Sequence, residues 1–378
     1  MKNYREIADE GRAEADEILR KMERKVHAVY RTAYSEIQAK ADEYLKDFIK
    51  EDSRLREQVK NGTLSPEDYR QWRRSHMMTG HRWFEMADVL ASDMVNSNLI
   101  AGSIINYHLP EVYAVGYNYG LYTVEKQALF ETSFTLYDRH TVENLIRENP
   151  DLLPRAKINI PKDLRWNKNK INSAVTQGIL QGETIPEIAE RLAKVTDMNE
   201  NSAIRNARTM TTSAENAGRI ESYRNTESLG IKVKKTWIAT LDGRTRNSHR
   251  RLDGETISDI DDTFSNGLRY PADPQGAPEE VYQCRCTTIS QVVPVDLSRR
   301  TGKLGDMSYE EWKNAKGNEP FFKKAQNEKR DKKQFDNYKK LKLENMPKNF
   351  KDFQDLKYDT PDKWEELKKS ARQARKKE

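Results

Sequence analysis

Residues Ile231–Thr240 read IKVKKTWIAT. Ile231, Val233 and Trp237 fall at alternate positions among lysines and threonine, the signature of a half-buried strand. What precedes is different. From about Glu200 to Leu229, Ala203, Ala207, Ala214 and Ala217 recur among polar residues at helical spacing, and Gly230 is a natural C-terminal stop. Leu241–Arg244 (LDGR) reads as a turn. The stretch from 259 to 278 reads as loop, with Asn266-Gly267, Tyr270-Pro271, Asp273-Pro274 and Gly276. TTISQVVPV (Thr287–Val295) is a second strand-like run. The change of period predicts a small α+β domain, near residues 200–295, built on the helix before it.

Upstream the chain reads as helical. Between Arg12 and Asn61 there is no glycine or proline, and Ile18, Met22, Val26, Val29, Ala33, Ile37, Ala41, Tyr44 and Phe48 follow each other at spacings of three and four. That is one face of a long helix, suited to a bundle or a coiled-coil seam. Asn61-Gly62 ends it, and Ser65-Pro66-Glu67-Asp68 starts another by capping, fixed φ and charge. This second helix is predicted to run to about Gly102, with Pro110-Glu111 opening a third. On the third, Gly116 and Gly120 stand four apart and predict close helix packing or a kink. Asn149-Pro150 and Leu153-Pro154 end the block. Trp166–Leu180 and Pro186–Val195 read as two shorter helices. The expected fold is mostly α with a small α+β domain. Its organisation is a helical N-terminal region (1–155), a mixed domain (156–298) and a basic tail (299–378).

Composition limits the function. The chain has 378 residues, 33% charged and 36% hydrophobic, with a net charge of +6. From Thr301 to Glu378 there are 22 basic and 15 acidic residues, so the tail carries +7 and the rest −1. A basic tail is where a nucleic-acid contact is sought. Lys323, Lys324, Lys332, Lys333, Lys339 and Lys340 are its DNA-contact candidates. Its aromatics, from Phe321 and Phe322 to Trp364, suit base stacking or small amphipathic helices, and docking on a partner or partial disorder is the expectation. The two cysteines, Cys284 and Cys286, exclude a disulfide framework and fit a reducing compartment. The charged start MKNYREIADEGRAEADE reads as no secretory signal, and no apolar run is long enough to span a membrane. Walker A, GxSxG and HExxH patterns are absent.

The segment Thr209–Val293 carries a longer pattern: Asn216-Ala217-Gly218-Arg219 with Tyr223, Trp237, Asp242, Arg244-Thr245-Arg246, His249 and Leu252-Asp253-Gly254. Phe264, Tyr270-Pro271-Ala272-Asp273-Pro274 and Cys284-Arg285-Cys286 complete it. In order and spacing this resembles the phage Mu protein F-like family of head morphogenesis, or minor head, proteins. The motif positions are Asn216, Arg219, Trp237, Asp242, Arg244, Arg246, Asp253, Gly254, Pro271 and Asp273. Two departures stand out. Gln283 precedes the first cysteine where asparagine is usual, and the YPADP loop lacks a second glycine that is common there. The resemblance implies a virion component of a tailed phage or prophage, located inside the capsid at the portal vertex and in the host cytoplasm during assembly. It implies portal, major capsid or scaffolding protein as partners, a role in procapsid assembly, and no enzymatic activity. Double-stranded DNA would be met through the tail, and no membrane is involved.

The residues themselves allow further chemistry. Cys284, Cys286 and His249 are S and N donors of the kind zinc takes in tetrahedral geometry, with Asp242 or Asp253 as a fourth ligand. The same residues also read as buried packing thiols beside a loop histidine, in which case no cofactor is expected. Asp242, Arg244, Arg246, His249 and Asp253 can be read as a nuclease-like site. They can equally be a turn whose arginines pair with Asp259, Asp261 and Asp262. A DNA-acting enzyme and a non-catalytic DNA-binding protein therefore stand as alternatives to a structural head protein.

Overall fold

In the computed structural model, residues 4–78, 81–129, 132–181, 183–293, 306–317, 324, 327–341, 343 and 345–375 are described. The fold is mostly α with one small sheet, as the sequence predicts. Helix α1 (Tyr4–Lys60) is followed by α2 (Pro66–Met78), α3 (His81–Ala128), α4 (Arg139–Glu148), α5 (Ile160–Leu180) and α6 (Ile185–Ser228). The seam of α1 is buried at Ile18, Met22, Val26, Ala33, Ile37 and Ala41. Tyr30 is buried where Val29 was expected, and the side chain of Tyr44 lies outside the described residues. The stripe packs on α3 and α6, so α1 belongs to a bundle and is no free-standing coil.

Two expected helix breaks do not occur. Pro110 lies inside α3. An internal proline costs roughly 3 kcal/mol, but Leu109, Val112 and Tyr113 beside it are all core residues, and ending the helix there would expose that face. The gap expected between Val195 and Glu200 is also helical. Asn199 donates to Val195 O (2.9 Å) and Asn167 Oδ1 (2.8 Å) and accepts from Asn98 Nδ2 (2.8 Å), while Tyr30 Oη donates to Asn98 Oδ1 (2.5 Å). Asn199, within the expected gap, is thus satisfied by a buried polar ladder across α1, α3, α5 and α6.

Helices α3 and α6 cross at glycines. A Cβ at Gly116 would sit 2.0 Å from Glu215 O, and one at Gly218 would sit 2.2 Å from Tyr113 O. Only hydrogen at these positions lets the two backbones touch. The close packing expected at Gly116 is therefore present, and its partner on α6 is Gly218.

Beyond α6 comes the sheet: β1 (Val233–Ile238), β2 (Thr256–Ile257) and β3 (Thr287–Val292), with α7 (Asn247–Arg251) and α8 (Pro278–Val281) between them. The strand order is β2-β1-β3, antiparallel throughout, with Trp237 opposite Thr288 and Thr236 opposite Thr256. β2 was not foreseen, because two residues are too few to show a period. Pro294 and Val295, at the end of the second strand-like run, lie outside the described residues, as does the boundary at 298. Trp237 is fully buried against Phe264, Leu252, Leu268 and the two cysteines. Lys235 is buried too and donates to the carbonyls of Ile260 (2.7 Å) and Arg269 (2.8 Å). Burial pulls its pKa down to about 8. The small domain does not stand apart from the bundle. Arg5 on α1 pairs with Asp253, and Arg12 donates to Arg285 O and to Thr240 Oγ1 (3.3 Å).

The described tail residues are mostly helical. α9 (Tyr309–Gly317) docks on this chain's own α3. Trp312 Nε1 donates to Glu125 Oε2 (2.7 Å), and Lys316 pairs with Glu125 at 3.0 Å, both inside the protein. α10 (Glu328–Lys340), α11 (Phe350–Asp359) and α12 (Pro361–Arg375) share a core of Phe335, Tyr338, Phe353, Leu367 and Ala371. Those aromatics pack on one another, which removes them from base stacking. Phe321 and Phe322 lie outside the described residues.

Candidate metal centre

The centre is assembled from the turn after β1 and the chain leading into β3. Asp242 Oδ1 accepts from Arg244 N (2.9 Å), closing a tight turn that starts α7 and points His249 inward. Opposite, α8 ends before Gln283, whose φ of +58° swings the chain so that Cys284 and Cys286 enter β3 facing the histidine. Left-handed backbone is costly for most residues and least so for glycine and asparagine. Ala272 in the YPADP loop has φ +61°. Both departures from the family pattern thus fall where the backbone is left-handed.

His249 Nδ1 lies 3.6 Å from Cys284 Sγ and 3.4 Å from Cys286 Sγ, and all three residues are buried. His249 Nε2 lies 2.9 Å from Glu280 Oε2, and the edge of Trp237 meets the imidazole at 5.2 Å between ring centres. The Cys284 thiol, deep in the protein, has its pKa raised by burial. That of Cys286 is lowered, first by the hydrogen bond from Cys284 and then, against burial, by His249. The three donors form the base of a 240 Å³ cavity whose walls include Arg208, Arg244, Arg246 and Arg285.

The carboxylates considered as fourth ligands are elsewhere. Asp242 accepts from Arg285 Nη2 at 2.7 Å, which holds its pKa well down. Asp253 accepts from Ala239 N (2.9 Å) and pairs with Arg5. The nuclease-like set is therefore not gathered at one centre: Asp242 and Asp253 are tied to arginines on other elements, and His249 is buried. The alternative pairing of Arg244 and Arg246 with Asp259, Asp261 and Asp262 is not formed either. Arg246 donates to the carbonyls of Glu280 and Tyr282, Arg244 is exposed, and Asp261 pairs with Arg224.

The remaining motif positions are structural. Asn216 Oδ1 accepts from Thr288 N (2.9 Å), and its Nδ2 donates to Cys286 O (3.3 Å). Arg219 reaches Thr288 O (3.2 Å), pairs with Glu215 (2.7 Å) and lies over the Tyr119 ring. Gly254, at φ +84°, returns its N–H to Trp237 O. Pro271 is buried, and Asp273 holds Arg269 through two bonds of 2.7 and 2.8 Å. Sequence reasoning missed Thr212, whose hydroxyl donates to Cys284 O (2.9 Å), and Glu280 behind the histidine. Thr212 was findable as the residue one turn before Asn216. Glu280 carries no signal in the sequence. Of the DNA-contact candidates, Lys332, Lys333, Lys339 and Lys340 are exposed on α10, and Lys323 lies outside the described residues. Lys324 departs from its expected role, because Asp355 and Asp359 of the same tail neutralise it.

Residues 169–289 match the phage Mu protein F like protein family. That span covers most of α5, all of α6 and the sheet as far as β3. This part of the chain is similar to that family. The chain is 25% identical to the minor head protein GP7 of Bacillus phage SPP1 over 316 residues, covering 80% of this chain and 94% of that one. It is 30% identical to the NAD(+)--arginine ADP-ribosyltransferase EFV of Enterococcus faecalis over 244 residues, covering 61% of this chain and 48% of that protein. The chain thus spans about half the length of the ADP-ribosyltransferase. No solved structure matches it significantly. No helix among the described residues is long and apolar enough to cross a membrane.

Proposed function

We propose that this protein is a minor head protein of a tailed phage or prophage, without enzymatic activity, that acts in procapsid assembly at the portal vertex. The observation that carries this reading is the match along nearly the whole length of a minor head protein. The ADP-ribosyltransferase is matched along less than half of its length, so its named activity is not carried over. The 156–298 domain is read as the shared head-morphogenesis element, with the helical N-terminal region and the tail serving contacts to the portal and to the capsid or scaffolding protein. The protein would reside inside the virion after assembly in the host cytoplasm. The tail would meet packaged double-stranded DNA through Lys332, Lys333, Lys339 and Lys340, which are exposed on one helix.

Co-expression with the portal and major capsid proteins of the same phage tests the assembly role. The chain should co-purify with procapsids that contain portal and be missing from portal-less shells. Equal incorporation into both would refute the vertex assignment. Gel shifts at two salt levels test the DNA contact. Binding through phosphates weakens steeply as salt rises, and replacing the four lysines with glutamine should abolish it. Unchanged binding in that variant would remove the tail from the reading.

A further inference from the structure

The three buried donors are arranged about one Nδ1 atom in a way that hydrogen bonding alone does not require. A neutral imidazole protonated at Nε2, the nitrogen 2.9 Å from the Glu280 carboxylate, offers a single in-plane lone pair at Nδ1, enough for one thiol proton. Yet two sulfurs stand at nearly equal distance from it, 3.6 and 3.4 Å. A cation shared by the three atoms accounts for both distances. With Zn–S near 2.3 Å and Zn–N near 2.0–2.1 Å, the S···N edge of a tetrahedron is about 3.6 Å. All three ligand atoms lie within 4.8 Å of one another.

We propose that His249, Cys284 and Cys286 hold one zinc ion through Nδ1 and the two thiolates, with Glu280 fixing the imidazole from behind and the fourth position open to the arginine-lined cavity. A carboxylate on the far nitrogen of a metal-bound histidine sets its tautomer and its orientation. Asp242 and Asp253 are excluded as fourth ligands by their own arginine partners, so the fourth ligand is an exchangeable oxygen donor, water in the absence of anything else. The site joins the turn carrying α7 to the start of β3. It thereby closes the long loop between His249 and Cys284 at its base, and the free energy of binding adds to the stability of the small domain.

The test uses the full chain, expressed with and without added zinc. Elemental analysis should find one zinc per chain. X-ray absorption should resolve two sulfur and two nitrogen or oxygen neighbours, and chelation should lower the melting temperature reversibly. Cys286→Ser and His249→Gln should each lose the zinc. Asp261→Asn, between His249 and Cys284 in the chain but paired with Arg224 outside the ligand set, should keep it. If a ligand variant fails to fold, cobalt titrated into chelator-treated wild-type protein should produce the thiolate-to-metal absorption of a two-sulfur site. Metal-free wild-type protein that gives no cobalt signal would overturn the proposal, as would zinc retained by the ligand variants. A four-sulfur environment would do the same, because it requires ligands from a second chain.

Discussion

Replacing Gly116 and Gly102 with alanine makes the same chemical change twice in α3, and the structure predicts opposite signs. At Gly102 the new Cβ would lie 3.6 Å from Ala156 O and 3.7 Å from Ala156 Cβ, which is ordinary contact. Nothing has to move, so the gain is that of alanine over glycine in a helix, roughly 0.8–1.0 kcal/mol. At Gly116 the Cβ would lie 2.0 Å from the Glu215 carbonyl oxygen and 2.8 Å from its carbon. Carbon and oxygen in favourable contact are about 3.3–3.6 Å apart, so α3 and α6 must separate by more than an ångström. Neither atom is the end of a flexible side chain. Overpacking costs typically 1–3 kcal/mol, and a backbone clash belongs at the upper end. After the propensity gain, Gly116→Ala should lose about 2 kcal/mol. Urea unfolding followed by far-ultraviolet circular dichroism, with the slope checked for constancy, gives both values. Gly218→Ala, 2.2 Å from Tyr113 O, should behave like Gly116→Ala. The double variant should cost less than the sum, since one separation relieves both clashes. If Gly116→Ala proves as stable as the wild type, or both α3 variants shift in the same direction, the close-crossing argument fails.

Trp237→Ala should lose about 3–5 kcal/mol, the cost of emptying a fully buried indole site. Trp237→Phe should lose much less, because it keeps a ring and removes an indole N–H that has no hydrogen-bond partner among the described residues; equal losses by denaturant melting would refute this. Gln283→Asn should gain up to about 1 kcal/mol by easing the left-handed backbone at φ +58°, and a drop in melting temperature would contradict the conformational reading. Asp273 has its pKa lowered despite burial, because Arg269 and the backbone N–H of Gln275 donate to it. A group whose folded pKa is depressed stabilises above its unfolded pKa, and that contribution is lost as the pH falls through the folded value. The wild type should therefore lose stability as the pH drops below the ordinary aspartate value of 3.8. Asp273→Asn should be less stable at neutral pH and show a flatter acid limb; parallel acid limbs would show that the carboxylate is not involved.

Local pattern was enough where one short stretch carries its own period. The seam of α1 from Ile18 to Ala41 was legible because its face repeats several times before anything interrupts it, and the start of α2 because Ser65 caps it. The strand around Trp237 was legible as a strand but not as half-buried, since both of its faces are covered and only Lys234 of its six residues is not buried. The order of motif residues between Asn216 and Cys286 was legible for another reason. A small domain whose loops are held by particular side chains, such as Asn216 on the β3 backbone and Asp273 on Arg269, has few substitutes for them.

What required the tertiary structure were decisions in which distant groups outweigh local preference. Pro110 reads as a break, but the core on either side of it keeps α3 whole. Thr196–Asn199 read as a gap, but Asn98 and Asn167 on neighbouring helices satisfy Asn199 within α6. Aromatics among lysines in the tail were expected to dock on a partner or stay partly disordered, but among the described residues they close a core of their own. Glu280, unremarkable in the sequence, stands behind His249, while Asp242 and Asp253 are drawn off by Arg285 and Arg5. The sequence alone determined that long helices precede a short strand-bearing segment after Gly230, and that a histidine and two cysteines belong to one motif. Folding decided which of the nearby charges reach them, since a carboxylate goes to the cation with which it is best paired, and chain distance does not measure that.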